Sequence, residues 1–251
     1  RILSLLMILS FAVGFSAFQC SSTELTSAKL YIQQDNLDKA IEALQKEVEK
    51  NPKSDEGFYL LGYAYGEKGN IEGMLENFDK SASISNKFAA NIDESKKYHW
   101  ADNFNKGVMV FNQASKVGDT DSATVVFERA IDRFNNAIMC QPDSSDTYLN
   151  LAYAHINMGN RDLAIEPLQK VVELKKTEDS YIQLADLYLQ KGLTLKADEK
   201  KDEAMIQFNS AIKLLEEGKS LYPNNGDILL LLSNSYIAAD KLDIAKDAFK
   251  E

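Results

Sequence analysis

The chain has 251 residues, of which 45% are hydrophobic and 26% charged, so it has the apolar side chains for a substantial core. Its 12 glycines and 4 prolines are few for a β-sandwich or a glycine-rich nucleotide fold, and its 2 cysteines exclude a disulfide framework. With 28 basic and 38 acidic residues the net charge is -10, the wrong sign for a surface that neutralises nucleic-acid phosphates.

The chain opens on Arg1, and from Ile2 to Phe18 no residue is charged. A basic residue, an apolar run and then small polar residues form the pattern of a secretory signal. The run is at the short limit for a membrane span, which needs roughly 17–25 residues. Cys20 follows the run directly and is followed by Ser21 and Ser22, which resembles a bacterial lipoprotein signal. That resemblance implies a lipid on Cys20, although Ala17 and Gln19 stand where such signals usually carry Leu and a small residue. The other reading is an ordinary signal peptide cut near Ser16 or Ala17. Both place the mature chain outside the cytoplasm. Residues 1–20 are therefore read as the signal. A start on Arg and an end inside a predicted helix suggest that the natural chain continues at both ends.

From residue 21 onward the sequence repeats. Segments with a small residue between Leu and Tyr recur as Phe58–Tyr65 around Gly62, Tyr148–His155 around Ala152, Tyr181–Tyr188 around Ala185, and Leu229–Tyr236 around Ser233. Ala28 and Gly107 centre shorter matches. An aromatic residue or Leu four before the small residue, an apolar one just before it and Tyr three after it share one helical face. Each segment precedes a second amphipathic stretch: Leu37–Leu44, Ile71–Phe78, Arg161–Leu168 and Leu242–Phe249. Gly69-Asn70 and Gly159-Asn160 supply the turn between them. Pro52, Pro142 and Pro223 fall where second helices should stop. Pro167 lies inside a predicted helix and should bend or delay its first turns.

These offsets resemble the tetratricopeptide repeat, a 34-residue helix–turn–helix. Phe58, Leu61, Gly62, Tyr65, Met74 and Phe78 match one unit; Tyr148, Leu151, Ala152, Ala164 and Leu168 match another. The resemblance implies an all-α, right-handed α-solenoid of about six repeats, near 21–54, 55–88, 89–144, 145–177, 178–225 and 226–251. Two units depart from the period. Gly107 to Ala152 and Ala185 to Ser233 span 45 and 48 residues, and their second helices share the offsets Ala123, Phe127, Ala130, Phe134 and Ala204, Phe208, Ala211, Leu215. Both read as repeats with helices lengthened by about two turns. The helix holding Trp100 is expected to start near Ile92.

The family's architecture implies a concave groove lined by first helices. The expected lining is Tyr59, Tyr63, Phe104, Leu149, Tyr153, Asn157, Ile182, Asp186 and Asn234, a mixture suited to an extended segment or helix of a partner polypeptide. Packing of some of these against adjacent helices is the competing reading. Some family members clamp a partner's C-terminal carboxylate with Lys, Arg and Asn. Here Asn150, Asn157 and Asn234 are accompanied only by Lys29, so that pattern is not met.

No nucleotide-binding, hydrolase or metalloprotease motif is present, and His99 and His155 read as packing residues. Cys140 reads as a buried thiol, because no positive charge adjoins it. Asp93-Glu94 and Glu178-Asp179 read as helix-start carboxylates. The expectation is a non-enzymatic scaffold without cofactor, metal or nucleic acid, tethered to the bacterial envelope through Cys20. The alternatives are the accessory region of a longer, possibly enzymatic protein, or a soluble periplasmic module.

Overall fold

The structure is a computed structural model and describes residues 22–248. The readings that fall on the apolar leader and Cys20 lie outside the described residues. Within them the regular structure is entirely α-helical. Twelve helices form six hairpins: α1 (Thr23–Gln33) with α2 (Leu37–Lys50), α3 (Asp55–Glu67) with α4 (Ile71–Ile84), α5 (Ala89–Ala114) with α6 (Thr120–Cys140), α7 (Ser145–Asn157) with α8 (Arg161–Leu174), α9 (Glu178–Ala197) with α10 (Lys201–Leu221), and α11 (Gly226–Ala238) with α12 (Leu242–Ala248). Two compact units can be separated, one ending at Lys96 and one starting at Lys97, so the boundary falls inside α5. The chain is an all-α solenoid-type array of helical hairpins, as its repeats imply.

Five of the six hairpin turns are built alike. Asp35, Gly69, Gly159, Glu199 and Asp240 all have φ between 56° and 79°. In each case the next residue's N–H reaches back five residues: Asn36 to Tyr31 O, Asn70 to Tyr65 O, Asn160 to His155 O, Lys200 to Leu195 O and Lys241 to Tyr236 O. This is the left-handed C-terminal motif that satisfies the last helical carbonyls. The sequence flags only the two glycines. Asp and Glu fill the same position elsewhere because the backbone pattern, not the residue, defines the turn. Helix starts are capped by Ser22, Asn36, Ser54, Asn70, Asp119, Thr177 and Asn225, whose side chains accept N–H groups of the first turn.

Between hairpins, Pro52, Pro142 and Pro223 each stand two residues past a helix end. Proline lacks the N–H and forces the preceding residue out of the helical region, which ends α2, α6 and α10 there. Pro167 behaves differently. It lies within α8, which still starts directly after its Asn160 cap, so the expected delay does not occur. Asn160 makes no side-chain cap bond, and Leu163 N–H closes a tighter turn onto Asn160 O at 3.0 Å.

Core packing follows a small-against-large rule. A Cβ added at Gly62 would sit 2.6 Å from the Phe78 ring, at Gly107 2.6 Å from Phe134, and at Gly192 2.4 Å from Phe208. Phe78, Phe134 and Phe208 are almost wholly buried, and burial of one such side chain contributes about 1.5–3 kcal/mol. The two long hairpins have helices of 20–26 residues, against 13–14 in α3, α4, α7 and α8. At 3.6 residues per turn, the extra seven in α6 and α10 are two turns. They accommodate a second small–large layer: Ala114 and Phe127 are buried in the cluster that holds Phe134, and Ala185 and Leu215 in the cluster that holds Phe208. The helix holding Trp100 starts at Ala89, three residues before the position expected from sequence.

Candidate functional site

The first helices present the expected groove residues, but several are engaged in packing. In the first unit, the Tyr59 ring stacks on Phe88 at 4.5 Å and on Phe78 at 5.9 Å. Burial, reinforced by Tyr63 and Glu94, pushes the Tyr59 phenol above its ordinary value. Tyr63 is half-buried beside it. Lys29 is held by Glu56 at 2.7 Å and so is not a free cation for a clamp.

In the second unit, Phe104 stacks on Trp100 at 5.8 Å and leans on Phe134. Leu149 and Ile182 are partly buried against the clusters of the next hairpin. Tyr153 remains half-buried, and its hydroxyl accepts a hydrogen bond from Gln183 Nε2 at 2.9 Å. Asn157 is exposed and donates to Tyr153 O one turn back. Asp186 lies within weak reach of Gln190 at 3.5 Å, and Asn234 is exposed. The second unit thus brings Leu149, Tyr153, Asn157, Ile182, Asp186 and Asn234 onto the faces of α7, α9 and α11. Tyr59 and Tyr63 belong to α3 in the first unit, and Phe104 to α5.

Gln183 is a groove residue that sequence reading missed. It ties α9 to α7, and its Oε1 is buried without a partner. A second set of polar links was also missed. Gln45 donates to the Tyr65 hydroxyl at 2.9 Å, Gln169 to the Tyr188 hydroxyl at 2.6 Å, and the Tyr236 hydroxyl donates to Glu216 at 2.6 Å. Each couples the residue after the large core side chain of one hairpin to the aromatic hydroxyl of the next first helix. The signal was available as a polar residue repeating directly after Leu44, Leu168 and Leu215. Burial and the Glu216 carboxylate push the Tyr236 phenol to about 12; burial and Glu217 do the same for Tyr181.

At the α6–α7 seam the equivalent residues are Asn135 and His155, and the link is missing. His155 Nδ1 is buried without a partner, and burial lowers the imidazole below its ordinary value. His155 lines a cleft of about 380 Å³ with Tyr148, Glu166 and Lys170. A similar cleft of about 400 Å³ lies over α3, with Tyr65, Phe58, Glu76 and Lys80 at the same register. Both are lined mainly by residues of the first and the second helix of one hairpin. His99 is buried and its carbonyl accepts from Asn103, and Cys140 is buried and forms no disulfide. Glu178 and Asp179 occupy the first turn of α9, whereas Asp93 and Glu94 fall one turn inside α5 because that helix starts early. Among the described residues no group of three His, Cys, Asp or Glu side chains is placed to hold a metal, and no helix is long and apolar enough to cross a membrane.

Comparison with known proteins agrees with this geometry. One tetratricopeptide repeat model matches residues 25–79, and another matches 145–178 and 185–217. The match beginning at 185 puts Gly192, not Ala185, at the small position, which is the second layer of the long α9–α10 hairpin. A curated relative, Photosystem I assembly protein Ycf3 of Prochlorococcus marinus, is 28% identical over 111 residues. That alignment covers 44% of this chain and 62% of the relative, so the chain spans less than two thirds of it. Similar solved structures include MamA (16% identity, 90% of this chain and 86% of that one, TM-score 0.40) and PilW, a type IV pilus biogenesis factor (17%, 92% and 91%, 0.38). TTC0263 of Thermus thermophilus is another (17%, 85% and 97%, 0.38). Helices, turns, caps and family matches agree that this chain carries tetratricopeptide repeats arranged as an all-α solenoid.

Proposed function

We propose that the protein is a non-enzymatic scaffold that holds a partner polypeptide on its first-helix faces and is tethered to the bacterial cell envelope through Cys20. The observation that carries the binding reading is the face of α7, α9 and α11, where the half-buried Tyr153 and Asp186 stand with the exposed Asn157 and Asn234 and combine aromatic area with amide and carboxylate groups. Tyrosine supplies large contact area at low entropic cost, and amides adapt to a peptide backbone. The curated relative is described as an assembly protein, which is compatible with a scaffolding role. The tether rests on the uncharged run from Ile2 to Phe18 and the cysteine that follows it.

Two substitutions test the two halves separately. Changing Cys20 to Ala should move the protein from the membrane fraction to the soluble fraction; a variant that still sediments with membranes rejects the lipid tether. Changing Tyr63 and Tyr153 together to Ala should abolish recovery of at least one native partner. Unchanged recovery of every partner rejects the groove.

A further inference from the structure

Helices α7 and α9 each have a hairpin before and after them in the chain. Counted from the small residues Ala152 and Ala185, the same three positions on each carry polar side chains: Asn150, Tyr153 and Asn157 on α7, and Gln183, Asp186 and Gln190 on α9. Residues spaced in this way share one helical face. Their amide N–H groups are spent within the face. Asn150 Nδ2 donates to Asp146 O and Asn157 Nδ2 to Tyr153 O, each at 2.8 Å, and Gln183 Nε2 donates to the Tyr153 hydroxyl at 2.9 Å. Only the nitrogen of a carboxamide donates, so the oxygens of Asn150 and Asn157 are the ends left over. Gln183 Oε1 is buried with no donor. The face is rich in acceptors and short of donors.

Its charge has one sign. Asp179 and Asp186 stand one turn before and one turn after Gln183 on the same side of α9. Asp146 and Glu178 add further carboxylates in the first turns of α7 and α9. Neither α7 nor α9 as far as Gln190 contains a Lys or Arg. The cations that flank these segments are engaged elsewhere: Lys191 lies 3.2 Å from Asp162 and Lys176 lies 2.8 Å from Glu217. Lys175 comes within 3.9 Å of Asp146, but both are exposed, and such a pair contributes little.

We propose that the polypeptide segment held on this face is cationic, with one of its Lys or Arg side chains over the Tyr153 ring and its N–H groups on Asp186. This rests on the first-helix binding reading and names the chemistry of the partner. A guanidinium or ammonium group supplies the donors that the face lacks and a positive charge that the face of a tyrosine ring attracts. Gln183 holds the Tyr153 hydroxyl and so fixes the ring. The carboxylates are spread along the helix instead of converging, and among the described residues no three groups are placed to hold a metal ion. That spacing suits side chains set at intervals along a polypeptide.

Fluorescence anisotropy of the full chain with three labelled decapeptides tests this: alternating Arg and Leu, alternating citrulline and Leu, and alternating Glu and Leu. Citrulline keeps the shape of arginine without its charge. The Arg peptide is expected to bind tightest and to weaken as salt is added. Asp186→Asn should weaken it about tenfold and Tyr153→Leu about two- to fivefold, with the citrulline peptide affected less by both. Asp132→Asn, which removes one exposed carboxylate from α6, should leave all three unchanged; a diffuse attraction to a chain of net charge -10 would respond to either aspartate alike. Equal weakening by Asp186→Asn and Asp132→Asn overturns the proposal. So does an Arg peptide that binds no tighter than the Glu peptide, or no binding of any peptide. Glu or citrulline peptides that bind tightest and are lost on Tyr153→Leu would overturn the cation and keep the first-helix face as the binding surface. Arg-peptide binding that neither Asp186→Asn nor Tyr153→Leu alters would remove both.

Discussion

Glu199 shows how much of this structure is decided by backbone geometry at single positions. It has φ 62° at the centre of the α9–α10 turn, where Gly69 and Gly159 stand in two sister turns. A left-handed non-glycine residue costs roughly 1–2 kcal/mol, part of which glycine gives back through its freer unfolded state. Changing Glu199 to Gly is therefore expected to stabilise the second unit by about 0.5–1 kcal/mol, read from the denaturant midpoint. A fall in midpoint would mean that the Glu199 side chain makes a contact that offsets its backbone strain. Gly62 and Gly107 were legible as small positions from sequence and Gly192 was not, and the reason the structure gives for all three is an aromatic ring within 2.4–2.6 Å of the missing Cβ. Sequence offsets along one helix say nothing about which side chain of the partner helix arrives there.

At the scale of helices, three seams between hairpins follow one rule and the α6–α7 seam departs from it. Three seams carry a hydrogen bond between the residue after the large core side chain and an aromatic hydroxyl; the α6–α7 seam pairs Asn135 with His155 and has none. Burial holds His155 below its ordinary value of 6.5, so the unfolded chain binds the proton more readily than the folded one. Stability is then fully present above about 6.5 and is lost as the pH falls through 6.5 toward the folded value. His155→Tyr should remove that acid dependence. It should also add about 0.5–1.5 kcal/mol by restoring the hydroxyl that the other seams use. Thermal melts of both proteins between neutral and mildly acid pH check this, and parallel pH profiles would contradict it. Helix existence, hairpin order and the lengthening of two repeats were all readable, because the 3.6-residue pattern recurs with every unit. The second layer in α9–α10 was not, because Ala185 and Gly192 are seven residues apart and either fits the small position. Only the bulk of Leu215 and Phe208 on the opposing helix shows that both are used.

At the scale of the molecule, the scarcity of glycine and proline fits an array of helices in which Gly69 and Gly159 mark turns, Gly62, Gly107 and Gly192 let a ring approach, and Pro52, Pro142 and Pro223 mark helix ends. The repeat makes the first-helix faces predictable as surfaces, yet it does not distinguish a residue that binds from one that packs. Tyr59 and Phe104 are absorbed into ring stacks and Tyr153 is half-buried with its hydroxyl held by Gln183, while Asn157 and Asn234 stay at the surface. The partner's identity was never legible, since a groove records the chemistry of its occupant and not its name. The central claim is that a partner polypeptide is held on the first-helix faces. It is tested most directly by site-specific photocrosslinking in the native host. A photoreactive residue is placed at Tyr153 or Asn234 in one set of variants and at Lys170 or Lys80, on the second-helix clefts, in another. Discrete crosslinked partner bands from Tyr153 or Asn234 and none from Lys170 or Lys80 are expected. Bands from Lys170 and Lys80 alone would contradict the claim and move the binding surface to the opposite side of the repeats.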